Sequence, residues 1–250
     1  MICKGVVPKY YFISGSGNKK TFSKTNLIKI SNSLKQEQKK YGIFLGGGDT
    51  TYSNKVSFTV TSLGYSKNII YRNKVKLNDD IYVTGNLGDS FVGLQILKNK
   101  FKFKKKINDY FIRKYFLPDI QIKLAKKLLR FANSSIDISD GLISDLEKML
   151  NNQDYSFLIN EPQIPISKHL KDLINDTKFK KYKLISNGDD YQVLFTANVN
   201  KLRIIQKTSK ILGIKITKIG KIISGKKKSI LIDQKGEQIL LKYKGYIHKF

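Results

Sequence analysis

Glycine and aspartate cluster together three times in this chain, each time where an apolar run ends, and this recurrence limits the fold more than any other feature. The clusters are Gly46-Gly47-Gly48-Asp49-Thr50, Ile136-Asp137-Ile138-Ser139-Asp140-Gly141 and Ser186-Asn187-Gly188-Asp189-Asp190-Tyr191. The adjoining runs, Ile43–Leu45, Ser134–Ile138 and Gln192–Thr196, read as strands, the first of them buried. Glycine lets a backbone approach a phosphate closely, and aspartate offers a hard oxygen ligand for magnesium. Ser139-Asp140-Gly141 also opens a helix predicted to run to about Leu150, where amide donors and the helix dipole favour an anion. Taken singly, each cluster has a plainer explanation, because Asp-Gly beside a strand is usually a turn and an isolated Asp140 reads as a helix cap. Three such clusters in a chain otherwise so rich in lysine argue for chemistry. The carboxylates Asp49, Asp137, Asp140 and Asp189, without accompanying His or Cys, point to magnesium rather than zinc. Carboxylate-held magnesium beside phosphate loops implies phosphoryl chemistry. No P-loop pattern is present: Gly225-Lys226-Lys227-Lys228-Ser229 has the wrong spacing, and Gly15-Ser16-Gly17 reads as a loop.

Between the clusters, strands and helices alternate irregularly. Tyr10–Phe12 reads as a strand, and Thr25–Tyr41 as a surface helix capped by Ser23 or Thr25 and ended by Gly42. Val56–Leu63 has the period of a half-buried strand, and Asp80–Thr84 is a further strand. Helices are predicted over 90–99, 107–115 and 119–131, with Pro118 at the start of the last. The C-terminal third predicts strands near 155–159, 190–196, 214–223 and 229–232, and helices near 167–174 and 199–212. The mixture lacks βαβ regularity and predicts an α+β fold. The charged turn Lys74–Asp79 marks a boundary near residue 75, dividing the chain into 1–75 and 76–250.

Composition excludes several classes. Cys3 is the only cysteine, which rules out an intrachain disulfide, and His169 and His248 are far apart, which argues against a histidine metal site. No apolar run approaches membrane-spanning length, and the reading is a cytoplasmic protein. The formal charge of +28 would ordinarily indicate nucleic acid, yet 43 of the 47 basic residues are lysine and only Arg72, Arg113, Arg130 and Arg203 are arginine. Nucleic-acid readers recruit arginine for its planar fork, so the excess reads as coding bias on solvated faces and argues against nucleic acid as the partner. Lys104–Lys106 and Lys226–Lys228 read as loop decoration.

In this order, the clusters resemble those of the thiamine-monophosphate kinases. The matching stretches are GGGDTT (46–51), DDIYVTGNLGDSFVGLQIL (79–97), NSSIDISDGLISDL (133–146), GDDYQVLFT (188–196), KIGKI (218–222) and KGYIH (244–248). The resemblance implies a two-domain fold like that of aminoimidazole-ribonucleotide synthetase, and a homodimer. It implies magnesium-dependent transfer of a phosphoryl group from ATP to thiamine monophosphate, giving thiamine diphosphate. By the same resemblance Asp49, Asp137 and Asp140 are magnesium ligands, Gly48, Asp49, Arg72 and Ser139 contact ATP, and Asp189 and Tyr246 contact the substrate. Asp189 stands where the family usually has glutamate, one methylene longer, so a weaker or water-mediated contact is expected.

The family also carries a longer N-terminal segment with a Gly-Asp-Asp motif, further magnesium-binding aspartates and a Ser-Asp-Leu stretch. Met1-Ile2-Cys3-Lys4-Gly5 falls just after the last of those aspartates. The first domain is therefore expected to be incomplete, through a late-called start or a disrupted gene. The chain alone is expected to be inactive or weakly active.

Overall fold

In the computed structural model, which describes residues 1–151, 153–177, 179–225, 229–240 and 245–246, the strands form two sheets. The first contains Pro8–Gly17 (β1), Phe44–Tyr52 (β2) and Ser57–Gly64 (β3) in the order β2-β1-β3. β1 and β2 are parallel and are joined through the helix Lys24–Tyr41 (α1), as a parallel pair requires. Ser23 caps α1 by accepting the Asn26 N–H at 3.4 Å, and Gly42, at φ 64°, ends it in the left-handed conformation.

Three expectations fail in this sheet. The Gly46–Thr51 stretch lies inside β2 rather than beyond its end, and Gly15-Ser16-Gly17 is part of β1 rather than a loop. Close packing explains the glycine at 48: it pairs with Ile13, and a Cβ there would fall 1.8 Å from the Ile13 carbonyl oxygen. The other failure concerns burial. Phe44, Leu45, Phe58 and Val60, expected to be buried or half-buried, are 51, 45, 47 and 58% exposed. Their period defines strands correctly, but α1 contributes no buried residue, so no packed layer closes over the sheet.

The larger sheet begins at Asp80–Thr84 (β4). After it come the helices Asp89–Leu97 (α2), Lys105–Phe116 (α3) and Ala125–Leu128 (α4), then Ala132–Asp137 (β5) and the helix Leu142–Leu150 (α5). Tyr155–Asn160 (β6), Lys168–Asp176 (α6), Lys181–Ile185 (α7), Val193–Ala197 (β7), Leu202–Leu212 (α8), Ile216–Ser224 (β8) and Ile230–Ile232 (β9) complete it. The strand order is β5-β7-β4-β8-β6-β9, antiparallel except for β6 with β9, which is the expected α+β character.

The strand period builds the core on both faces. Ile81 and Val83 pack with Leu142, Leu146 and Met149 of α5, while Tyr82 points the other way and stacks on Phe195 at 5.2 Å. Asp79 anchors the entry to β4: its carboxylate accepts Asn133 Nδ2 at 2.9 Å, Thr196 Oγ1 at 3.1 Å and the Lys76 N–H at 3.2 Å. The sheets part between Gly64 and Asp80, yet Cys3 and Ile70 pack in the larger sheet's core. Burial pushes the Cys3 thiol up to about 12 and keeps it neutral.

The helix expected over 119–131 is broken. Only a 3₁₀ turn at Ile122–Leu124 and the single turn α4 form. The Asp119 carbonyl accepts the side-chain amides of Gln121 and Gln192 at 3.1 and 3.2 Å, so it is not spent on a helical ladder. Lys105 and Lys106 open α3 rather than decorating a loop, α7 was not foreseen, and Lys226–Lys228 and His248 lie outside the described residues.

Phe195 is fully buried against Tyr82 and Phe131, so Phe195→Ala should lower unfolding free energy by about 3–5 kcal/mol in a urea titration. Ile211→Ala, at a residue 68% exposed, should stay within about 0.5 kcal/mol.

Candidate active site

β5 and β7 are neighbours, and the loops beyond them prolong their pairing. Past the Asp137–Val193 pair, the Ile138 N–H donates to the Gln192 carbonyl at 2.9 Å and the Tyr191 N–H to the Ile138 carbonyl at 2.9 Å. The Asp189 N–H then donates to the Ser139 carbonyl at 3.0 Å. The two backbones touch: a Cβ on Gly188 would fall 1.7 Å from the Ser139 oxygen, and one on Gly141, at φ 125°, 2.3 Å from the Ser186 oxygen. These two glycines serve loop-to-loop approach.

Inside the 138–141 turn, the Ser139, Asp140 and Gly141 N–H groups all donate to Asp145 Oδ2, at 3.0, 3.0 and 3.2 Å. Asp145 is fully buried, and Lys148 Nζ reaches its other oxygen at 2.7 Å and also pairs with Asp140. The amides expected to bind an external anion are thus occupied by the helix's own carboxylate.

Four sequence-predicted residues from three separate segments line one cavity of about 620 Å³: Ser139, Asp140, Asp189 and Tyr246. The Tyr246 N–H donates to the Asp140 carbonyl at 2.9 Å, tying the C-terminal segment to the turn. Asp137 lines a neighbouring cavity of about 360 Å³, and Tyr191 lines both. Asp49 is exposed on β2, at a third cavity of about 500 Å³ between α1 and the first sheet. Arg72 is exposed, and its main-chain oxygen accepts the Ser134 hydroxyl. Among the described residues, no three His, Cys, Asp or Glu side chains converge to hold a metal by themselves.

Burial pushes the Asp189 carboxyl up, the Asp140 charge adds to this, and a hydrogen bond from Tyr191 opposes it. Asp189 and Tyr191 hold φ of 66° and 50°, left-handed values that non-glycine residues rarely adopt, in a loop fixed by its partner. Burial pushes the neighbouring Asp190 up to about 8, and its carboxyl accepts the Gly88 N–H at 2.8 Å at the start of α2.

α2 supplies the wall that sequence reading missed. Phe91, Leu94, Gln95 and Lys98 face the cavity. Their spacing of three and four residues was the available signal. Nothing in the sequence marked the coupling of Asp140, Asp145 and Lys148.

The architecture matches solved structures at low identity. AaThiL complexed with AMPPCP and TMP superposes with a TM-score of 0.82 at 23% identity, covering 98% of this chain and 76% of that one. E. coli HypE, a hydrogenase maturation protein, gives 0.77 at 15%, covering 97 and 75%. The fold is therefore that of the aminoimidazole-ribonucleotide-synthetase-like proteins. No family model matches the chain. The thiamine-monophosphate kinase of Buchnera aphidicola subsp. Schizaphis graminum is 39% identical over 232 residues, 92% of this chain and 68% of that relative. The thiamine-monophosphate kinase of Nitrosopumilus maritimus is 30% identical over 246 residues, 98 and 77% respectively. The chain belongs to the thiamine-monophosphate kinase family.

Gly188→Ala must push the two loops apart. It should lower unfolding free energy by about 1–3 kcal/mol and weaken ligand binding in the cavity, read by thermal denaturation and calorimetric titration.

Proposed function

We propose that this chain phosphorylates thiamine monophosphate at the expense of ATP, giving thiamine diphosphate and ADP. The observation that carries the reading is the convergence of Ser139, Asp140, Asp189 and Tyr246 on one cavity. Its lining suits the substrate class. Phe91, Tyr191 and Tyr246 offer aromatic faces to a cationic heteroaromatic ring, and Lys98 offers a charge to a phosphate. Asp189 accepts hydrogen bonds from the substrate's polar groups. For ATP, the third cavity has the apolar lining a purine takes, from Ile13, Phe22, Leu27, Ile30 and Phe58, with Asp49 and Thr50 beside it. Gly48, Arg72 and Ser139 complete the nucleotide contacts in this reading.

The donor chemistry fits magnesium. The carboxylates are hard oxygen donors, and magnesium is usually held by one or two carboxylates together with substrate phosphates rather than by an all-protein cage. Asp49, Asp137 and Asp140, which stand at separate cavities, would hold it only together with the substrate phosphates, and it would offset repulsion between the ATP triphosphate and the acceptor's phosphate. The attacking oxygen of a phosphate monoester is already anionic, so no protein general base is required. The chain's own contribution is positioning: paired loops fix the carboxylates, and the cavity orients the acceptor. No covalent phosphoenzyme is part of the reading.

A homodimer and a cytoplasmic location belong to the same proposal. The first sheet's exposed Phe12, Phe44 and Val60 support association, and a single buried cysteine suits a reducing compartment. Among the described residues, no helix is long and apolar enough to cross a membrane.

Incubation of the purified chain with ATP, magnesium and thiamine monophosphate should yield thiamine diphosphate at a low rate, separated and quantified by chromatography. Asp140→Asn should lower kcat about a hundred-fold. No binding of thiamine monophosphate to the wild-type chain in a calorimetric titration, or undiminished turnover by the variant, would contradict the reading.

A further inference from the structure

Lys148 joins two carboxylates of different kinds. Asp145 has no solvent exposure and organises the turn before α5. Asp140 has a side chain 22% exposed and lines the substrate cavity. The Lys148 ammonium lies 2.7 Å from Asp145 Oδ1 and pairs at the same time with Asp140 Oδ2. Helix geometry makes this possible: Lys148 follows Asp145 by three residues on α5, on the same face, while Asp140 lies just ahead of the helix.

The two pairings are not equivalent. Asp145 is buried, and removing its counter-ion would leave an uncompensated interior charge, so its hold on Lys148 is strong. Asp140 and Lys148 are both partly solvated, with the lysine side chain 36% exposed, so their attraction is screened and more easily exchanged. A cation approaching Asp140 must displace the ammonium from Oδ2 or bind the other oxygen within reach of its charge. Lys148 can yield Asp140 while remaining on Asp145.

We propose that Lys148 is a positioning residue that also competes with a divalent cation for Asp140. In the cation-free chain its ammonium holds the Asp140 carboxylate and offsets the repulsion between Asp140 and Asp189. When a divalent cation binds, the ammonium leaves Asp140 and stays on Asp145, so the turn keeps its shape in both states. The inference rests on the reading of Asp140 as a metal ligand and adds a residue to it.

Manganese titrated into nucleotide-free protein, with free ion read by electron paramagnetic resonance, tests this without turnover. Lys148→Met should bind manganese about ten-fold more tightly than wild type, because a nearby positive charge has been removed. Lys148→Arg, which keeps the charge, should stay near wild type. Should Lys148→Met fail to fold, Lys148→Gln, which removes the charge but keeps an amide donor for the buried Asp145 carboxylate, takes its place, and the same tightening is expected. Manganese binding that is unchanged, weaker or undetectable in the folded charge-removing variant overturns the proposal. Asp140→Asn separates the two readings: if it binds manganese as wild type does, Asp140 is not the ligand and the metal reading fails first. If it loses binding while removal of Lys148 changes nothing, only the competition is refuted.

Discussion

Three consecutive backbone N–H groups converge on one buried carboxylate, and the candidate site depends on that convergence. Asp145 accepts from Ser139, Asp140 and Gly141, which fixes the turn where β5 gives way to α5. A carboxylate satisfied by several backbone donors is a strong local constraint, since losing any partner in a buried setting leaves a polar group unpaired. With that turn fixed, the Ser139 carbonyl is placed to receive the Asp189 N–H, and the third cluster is fixed through the second. Asp190 carries the order onward by accepting the Gly88 N–H, so the start of α2 is tied to the same loops. The cavity wall formed by Phe91 and Lys98 is therefore coupled to the turn that presents Asp140.

Much of this was legible in the sequence, for reasons that differ by region. Asp80–Thr84 and Leu142–Leu150 were read nearly to the residue, because their apolar period is strong and the core uses it on both faces of one sheet. The second cluster was read correctly as running from a strand into a turn and the third as leading into a strand, and Ser139, Asp140, Asp189 and Tyr246 meet at one cavity. The first cluster was misread as a post-strand loop, because glycine's close approach to Ile13 within a sheet has the same composition as a phosphate loop. The anion site inferred at the start of α5 failed for a related reason. Sequence reveals that amides are free of the helical ladder, but not that a carboxylate one turn later has taken them. The broken 119–131 helix shows a third limit, since its Asp119 carbonyl is claimed by Gln192, a residue distant in sequence.

The two sheets differ in how they are completed. The larger one buries Tyr82, Phe157 and Phe195 almost entirely, and its strands, apart from the parallel β6–β9 pair, form one antiparallel ladder. The first sheet pairs its strands fully but leaves Phe44, Phe58 and Val60 about half exposed. Backbone hydrogen bonding and a few side-chain contacts, such as Phe22 against Phe58, sustain the strands there, while apolar burial, the dominant stabilising contribution elsewhere, is small. Asp49 is carried by that sheet and Asp140 by the larger one, so the spacing between them depends on how firmly the first sheet is held.

A crystal structure of the chain with thiamine monophosphate, a non-hydrolysable ATP analogue and magnesium addresses most directly whether the paired loops form the acceptor site. The thiamine moiety should lie between Asp189 and Tyr246, with its phosphate beside Asp140. Thiamine monophosphate bound elsewhere, with the cavity between the 138–141 turn and α2 unfilled, would contradict this assignment.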